Sequence, residues 1–170
     1  NDDDVTEKTS YFEKAWFKPI PTQNNGKQFL EGLKYSSVAW RHGEEAMNPF
    51  HDEIGYLLWD KANGQVIRTV VFGRGIAIQA GATAGPRDKK IHFKATPGDP
   101  AYGILQNKYL LERAELISFE SVFQFNDDGT LTHSSDLVLK LAALGGMEMH
   151  HTDINTLHLV KRYHPGSEFN

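Results

Sequence analysis

Apolar residues recur in short runs along this chain, often at every second position, and turn-forming residues separate the runs. "YFEKAWF", "LKYSSVAWR", "FHDEIGYLLWD", "GQVIRTVVF", "GIAIQAG", "KKIHFKA", "ELISFESVFQF" and "TLTHSSDLVLKL" are the segments that read as strands. Between them stand Asn24-Asn25-Gly26, His42-Gly43, Asn63-Gly64, Thr83-Ala84-Gly85-Pro86, Pro97-Gly98-Asp99-Pro100, Asp128-Gly129 and Gly145-Gly146. Asn63-Gly64 and Asp128-Gly129 predict tight hairpins, because both residue types tolerate the positive φ that such turns need. In "ELISFESVFQF" the alternation puts Ile117, Phe119, Ser121, Phe123 and Phe125 on one face and leaves Leu116 and Val122 on the other. One short helix is predicted near "NKYLLERA" (Asn107 to Ala114), a segment that reads equally well as strand. Many strands joined by short turns, with no interleaved helices, predict an all-β fold, an antiparallel barrel or sandwich. The expected form is a single antiparallel up-and-down β-barrel over residues 1–170, with 1–10 a flexible N-terminal segment.

The strand "FHDEIGYLLWD" carries the first chemical question. Strand residues two apart share a face, so His51, Glu53, Gly55, Leu57 and Trp59 look one way, and Asp52, Ile54, Tyr56 and Leu58 the other. Asp52 and Tyr56 suit solvent, which turns the His51 face inward. Gly55 on that face leaves room for a ligand or a crossing backbone. The plainer reading of His51 and Glu53 is a mutually bonded internal pair, since buried polar groups must find partners.

Composition narrows the classes. The 18 Lys and Arg against 22 Asp and Glu leave a net charge of −4 and no basic cluster, so neither nucleic acid nor an anionic membrane is expected as a partner. The absence of cysteine removes disulfides, thiolate metal sites and cysteine nucleophiles, and suits the cytoplasmic location expected here. The longest nearly apolar run, "LVLKLAALGG", is broken by Lys140 and is too short for a membrane span. The opening "NDDDVTEKTS" is acidic and is not a signal peptide as it stands. It lacks an initiator Met, and the natural start is expected upstream of Asn1.

Taken together, "FHDEIGYLLWD", the following hairpin, "VIRTVVFGRGIAIQAGATA" and the C-terminal "HHTDINTLHLVKR" resemble the nitrobindin-like family. These are small barrels similar in shape to lipocalins and fatty-acid-binding proteins, and the similarity runs from about Tyr11 to Arg162. The resemblance implies about ten strands around a water-excluding pocket that holds haem b in studied members. It also implies an iron-ligating histidine near the last strand, with the histidine matching His51 across the pocket. On this chain the ligand falls on His151 or His150, with His158 ranked behind them. Family members usually open with a Gly-Thr-Trp-like strand, and nothing like it precedes Tyr11. The barrel is therefore expected to be open at its N-terminal seam or closed by Tyr11 to Phe17, with exposed edges that would allow a homodimer.

His151 is in phase with Met147, Met149 and Asp153, whereas His150 faces the opposite way. Asp153 could instead orient a neighbouring histidine and pin the end of the barrel. Arg74 and Arg68 are the cations available to a carboxylate or propionate, although isolated arginines more often lie on the surface. Trp16, Trp40 and Trp59 suit a cavity wall or, more simply, the core. A two-histidine, one-carboxylate metal set of His51, Glu53 and His151 has no compact motif behind it. The expected function is binding of a small hydrophobic ligand, haem first, with a pocket of His51, Glu53, Gly55 and Arg74. The alternatives are a cofactor-independent hydratase, isomerase or decarboxylase using His51 and Glu53 as acid and base, or a filled barrel with no small-molecule function.

Overall fold

A computed structural model describes residues 8–44 and 48–162. Most of the N-terminal segment expected to be flexible lies outside the described residues, and 8–10 lead into the first strand as irregular chain. The fold is all-β. One antiparallel sheet contains β1 (Tyr11–Asn24), β2 (Phe29–Arg41), β3 (His51–Asp60), β4 (Gln65–Phe72), β5 (Ile76–Thr83), β6 (Lys90–Ala95), β7 (Ile104–Gln106), β8 (Ala114–Phe125), β9 (Leu131–Leu141) and β10 (Met147–Leu157). The strands neighbour one another in chain order, except that β7 pairs with β5 off the main path. The β5–β6 link is a single residue pair, Gly81 with Lys94, so the sheet parts there and β7 pairs with the freed end of β5. No described helix is long and apolar enough to cross a membrane.

The alternation read from the sequence sets the interior. Tyr35, Val70, Ile78, Ala80, Phe93, Leu116, Phe119 and Phe123 are each buried and form one cluster. Full burial of one such large side chain contributes roughly 1.5–3 kcal/mol. The two predicted hairpins are present, and Gly64, at φ +63°, supplies the positive φ of the β3–β4 turn.

One open alternative is decided and two local expectations change. "NKYLLERA" is helical: α1 spans Lys108–Arg113, and the Asn107 side chain caps it by accepting the Leu110 N–H at 3.1 Å. In β8 the pairing with β9 shifts between Leu116 and Ser118. That bulge turns Leu116 inward along with Phe119, Ser121 and Phe123, so simple alternation across Ile117 fails. Trp16 and Trp40 join neither cavity nor core. They lie on the outer face of β1 and β2, with the Lys14 Nζ 5.8 Å from the Trp40 ring centroid.

The first and last strands, β1 and β10, share no backbone ladder among the described residues. Side chains bridge this seam: the Asn155 Nδ2 donates to Glu13 Oε2 at 2.7 Å, and Ser37 Oγ donates to Glu13 Oε1. The expected weakness at the N-terminal seam is therefore real, but a buried-edge carboxylate spans it.

Candidate functional site

β3 brings His51, Glu53 and Gly55 to the inner face, as their parity requires. Glu53 is only 6% exposed, so its charge needs a partner. That partner comes from β4. Arg68, 1% exposed, donates from Nη2 to Glu53 Oε1 at 2.9 Å. The same guanidinium donates from Nε to the Tyr35 hydroxyl at 3.1 Å and from Nη1 to Ser121 Oγ at 2.5 Å. Its carbon lies 5.1 Å from the Phe123 ring centroid and 5.7 Å from that of Phe119, a favourable setting for a delocalised cation. His133, from β9, completes the layer with Nε2 3.2 Å from both Arg68 Nη1 and Ser121 Oγ. An imidazole nitrogen that faces a guanidinium donor is the unprotonated one, so the hydrogen-bond network assigns the His133 proton to Nδ1.

The electrostatics follow from this packing. Burial alone would raise the Glu53 pKa, but the Arg68 charge and the His51 hydrogen bond prevail and bring it down to about 2. Burial and then Arg68 lower His133 to about 4, so it is neutral at physiological pH. Burial opposes protonation of His51, but its bond and charge contact with Glu53 leave its pKa above the ordinary value. Burial raises the Tyr35 hydroxyl, which stays protonated.

Above this layer the barrel is open. His51 Nε2 lies 3.2 Å from Glu53 Oε2, and the ring packs edge-on to Phe72 with centroids 5.5 Å apart. Burial, and after it the charges of Asp153, Glu13 and Glu53, raise the pKa of the Tyr11 hydroxyl at this end. Among the described residues Asp153 orients no histidine. Its Oδ2 accepts from Ser135 Oγ at 2.7 Å, and its Oδ1 is buried without a partner.

The two adjacent histidines of β10 part ways. His150 points outward and bonds Asp136 through Nδ1 at 3.0 Å. His151 is opposite Leu137, which packs against the core, so its ring belongs to the inner row. It is exposed and makes no hydrogen bond among the described residues. Met149 and Met147 continue that row at 41% and 65% exposure. The cause is stagger: Asn155 meets Glu13 across the seam and β1 begins at Tyr11, so the first half of β10 runs past the start of β1. His158 follows the end of β10 and is exposed.

Other expectations need correction. Gly55 does not open space for a ligand: a Cβ there would lie 1.9 Å from the Thr69 carbonyl oxygen and 3.1 Å from the Tyr35 ring. The glycine admits backbone and an aromatic ring. Arg74 is exposed in the β4–β5 turn, where its carbonyl accepts from Asn107 Nδ2 at 2.8 Å. The arginine at the heart of the barrel is Arg68: of the two cations weighed for a carboxylate, it is the one that meets Glu53, and it does so in the interior rather than on the surface. His51, Glu53 and His151 do not converge, and no group of three or more acidic or imidazole side chains among the described residues could hold a metal ion. Only the even spacing of "QVIRTVVF", which places Arg68 in phase with Val66 and Val70, hinted at an inward arginine.

A sequence model of the THAP4-like, heme-binding beta-barrel domain family matches residues 2–158. The chain belongs to that family. No curated protein sequence matches it. Membership of the THAP4-like family makes ligand binding in the barrel the function, with haem the first candidate.

The interior tests where such a group fits. Among Glu13, Tyr35, Ser37, Glu53, Arg68 and His133 only about 10 Å³ is free, room for one water and not for a porphyrin. A larger pocket of about 260 Å³ below this layer is lined by no histidine. At the other end of the barrel the inner row carries the exposed imidazole of His151 with Met147 and Met149 beside it, and His51 begins β3 there, a donor set whose chemistry suits a haem iron.

Proposed function

We propose that this chain binds haem b at the open end of the barrel, with His151 as the iron ligand and His51 on the opposite side. The observation that carries this reading is the free imidazole of His151 on the exposed inner row of β10, beside Met147 and Met149. An iron-ligating histidine needs an available nitrogen, and apolar neighbours suit the porphyrin face. His150 is a poorer candidate because it faces outward and is engaged by Asp136. Glu53, fixed by Arg68, orients His51 by accepting from its Nε2. Haem so held supplies an iron with a further coordination position for a small ligand, and His51 controls approach to it.

An acid–base enzyme built on His51 and Glu53 has less support. A carboxylate held near pKa 2 and bonded to a guanidinium is a weak base and is ionised at neutral pH, so it cannot donate a proton.

Ferric haem titrated into the apo-protein should produce a shifted, saturable Soret band. His151→Ala should abolish it. His150→Ala should retain it, and His51→Ala should retain binding while changing how fast cyanide or nitric oxide reaches the iron. Loss of the band in His150→Ala with retention in His151→Ala would overturn the assignment, and non-saturable binding by the wild type would overturn haem itself.

A further inference from the structure

The barrel has a second pocket, at the end away from His151. It measures about 260 Å³ and is walled by Leu57, Trp59, Val66, Phe93, Phe123 and Phe125. Phe123 also borders the Arg68 layer, so its ring partitions the polar middle from this apolar end. Among the described residues the sole ionisable one in the lining is Glu31, which is exposed at the mouth. The indole N–H of Trp59 is buried and has no acceptor among the described residues. That N–H has essentially no accessible surface, so Trp59 meets the contents of the pocket with carbon.

We infer that this pocket is a separate binding site for a compact, neutral, aromatic molecule. Size, wall and charge each select for that class. An apolar cavity of about 150 Å³ is enough to hold benzene, so 260 Å³ accommodates a two-ring aromatic. Four aromatic side chains present faces and edges for stacking. The carboxylate at the mouth and the absence of any cation in the lining disfavour an anion. The site stands independently of haem, since no residue of the His151 end lines it.

The test is an NMR titration of the whole chain, labelled with nitrogen-15, against naphthalene, 2-acetylnaphthalene and sodium 2-naphthoate. The chain has three tryptophans, and the signal lost in Trp59→Phe assigns the indole. Saturable shifts of that signal are expected with the first two probes. The naphthoate should bind more weakly than either. Leu57→Phe and, separately, Val66→Phe should each fill the pocket and weaken binding at least tenfold; having two such variants guards against one that fails to fold. His151→Ala should bind the probes as the wild type does. The inference is overturned if the Trp59 indole shows no saturable shift or if a folded filled variant still binds. Loss of binding in His151→Ala, or displacement of the probes by haem, also overturns it, because the probes would then occupy the other end.

Discussion

Strands β3 and β10 present the same local pattern to the barrel interior: a histidine followed two residues later by an acid, His51 and Glu53 in one and His151 and Asp153 in the other. The fold treats them in opposite ways. In β3 the acid is buried, ionised and gripped by Arg68, and the histidine bonds to it. In β10 the acid bonds Ser135 from the neighbouring strand, and the histidine has no hydrogen-bond partner among the described residues. Spacing within a strand creates the opportunity for a pair. A cation arriving from another strand decides whether the pair becomes structural. Where none arrives, an imidazole is left available for chemistry.

Removing the cross-barrel cation is the strongest way to break this contrast. Arg68→Met strands the Glu53 charge in the interior and should cost roughly 3–5 kcal/mol of stability, measured by urea unfolding. Adding Glu53→Gln should recover part of that loss. A cost below about 1 kcal/mol would mean that the β3 pair is as uncommitted as the β10 pair.

The next effect is one of pH. His133 titrates near 4 in the fold, below its ordinary 6.5. Between those values the unfolded chain takes a proton that the folded chain refuses, so stability climbs as pH rises from 4 to 6.5 and this contribution is flat above. His51 has the opposite sign: its contribution is complete below pH 6.5 and fades as pH rises through its raised value. Glu53 contributes above its ordinary 4.5 and loses that contribution only as pH falls towards 2. His133→Asn, which keeps an acceptor for Arg68, should therefore flatten the pH 4–6.5 limb by up to about 3 kcal/mol. An unchanged limb would place the acid sensitivity elsewhere.

The smallest effect sharpens the contrast from outside. The His150–Asp136 pair is a histidine–acid contact on the solvent side, and His150→Ala should change the urea midpoint by no more than about 0.5 kcal/mol. A larger loss would show that β10 depends on its outer pair in the way β3 depends on its inner one.

What was legible in the sequence follows the range of the forces involved. Strand existence, the hairpins at Gly64 and Gly129, and the inward parity of Glu53 depend on neighbours a few residues apart, and these were readable. The resemblance carried by "FHDEIGYLLWD" and "GRGIAIQAG" led to the right family. Arg68 was not readable as an interior residue, because its partners Tyr35, Glu53, Ser121 and His133 come from four other strands. The β8 bulge was hidden for a similar reason: an extra residue shows only against the register of β9. Gly55 was correctly placed on the inner face, but its neighbour across the gap, the Thr69 carbonyl, belongs to the next strand. His150 and His151 were separable only by parity, and the stagger that leaves His151 uncovered depends on where β1 begins.

The unladdered seam between β1 and β10 has a kinetic meaning. In a fully laddered barrel the first and last strands must meet, and the chain must close its longest loop to form those bonds. Here the contact across that gap is a side-chain bond between residues 142 positions apart, while the main-chain ladders join strands near in sequence. Zipping can thus proceed hairpin by hairpin from any turn, and the entropy of the longest closure falls on a late, local docking step rather than on nucleation.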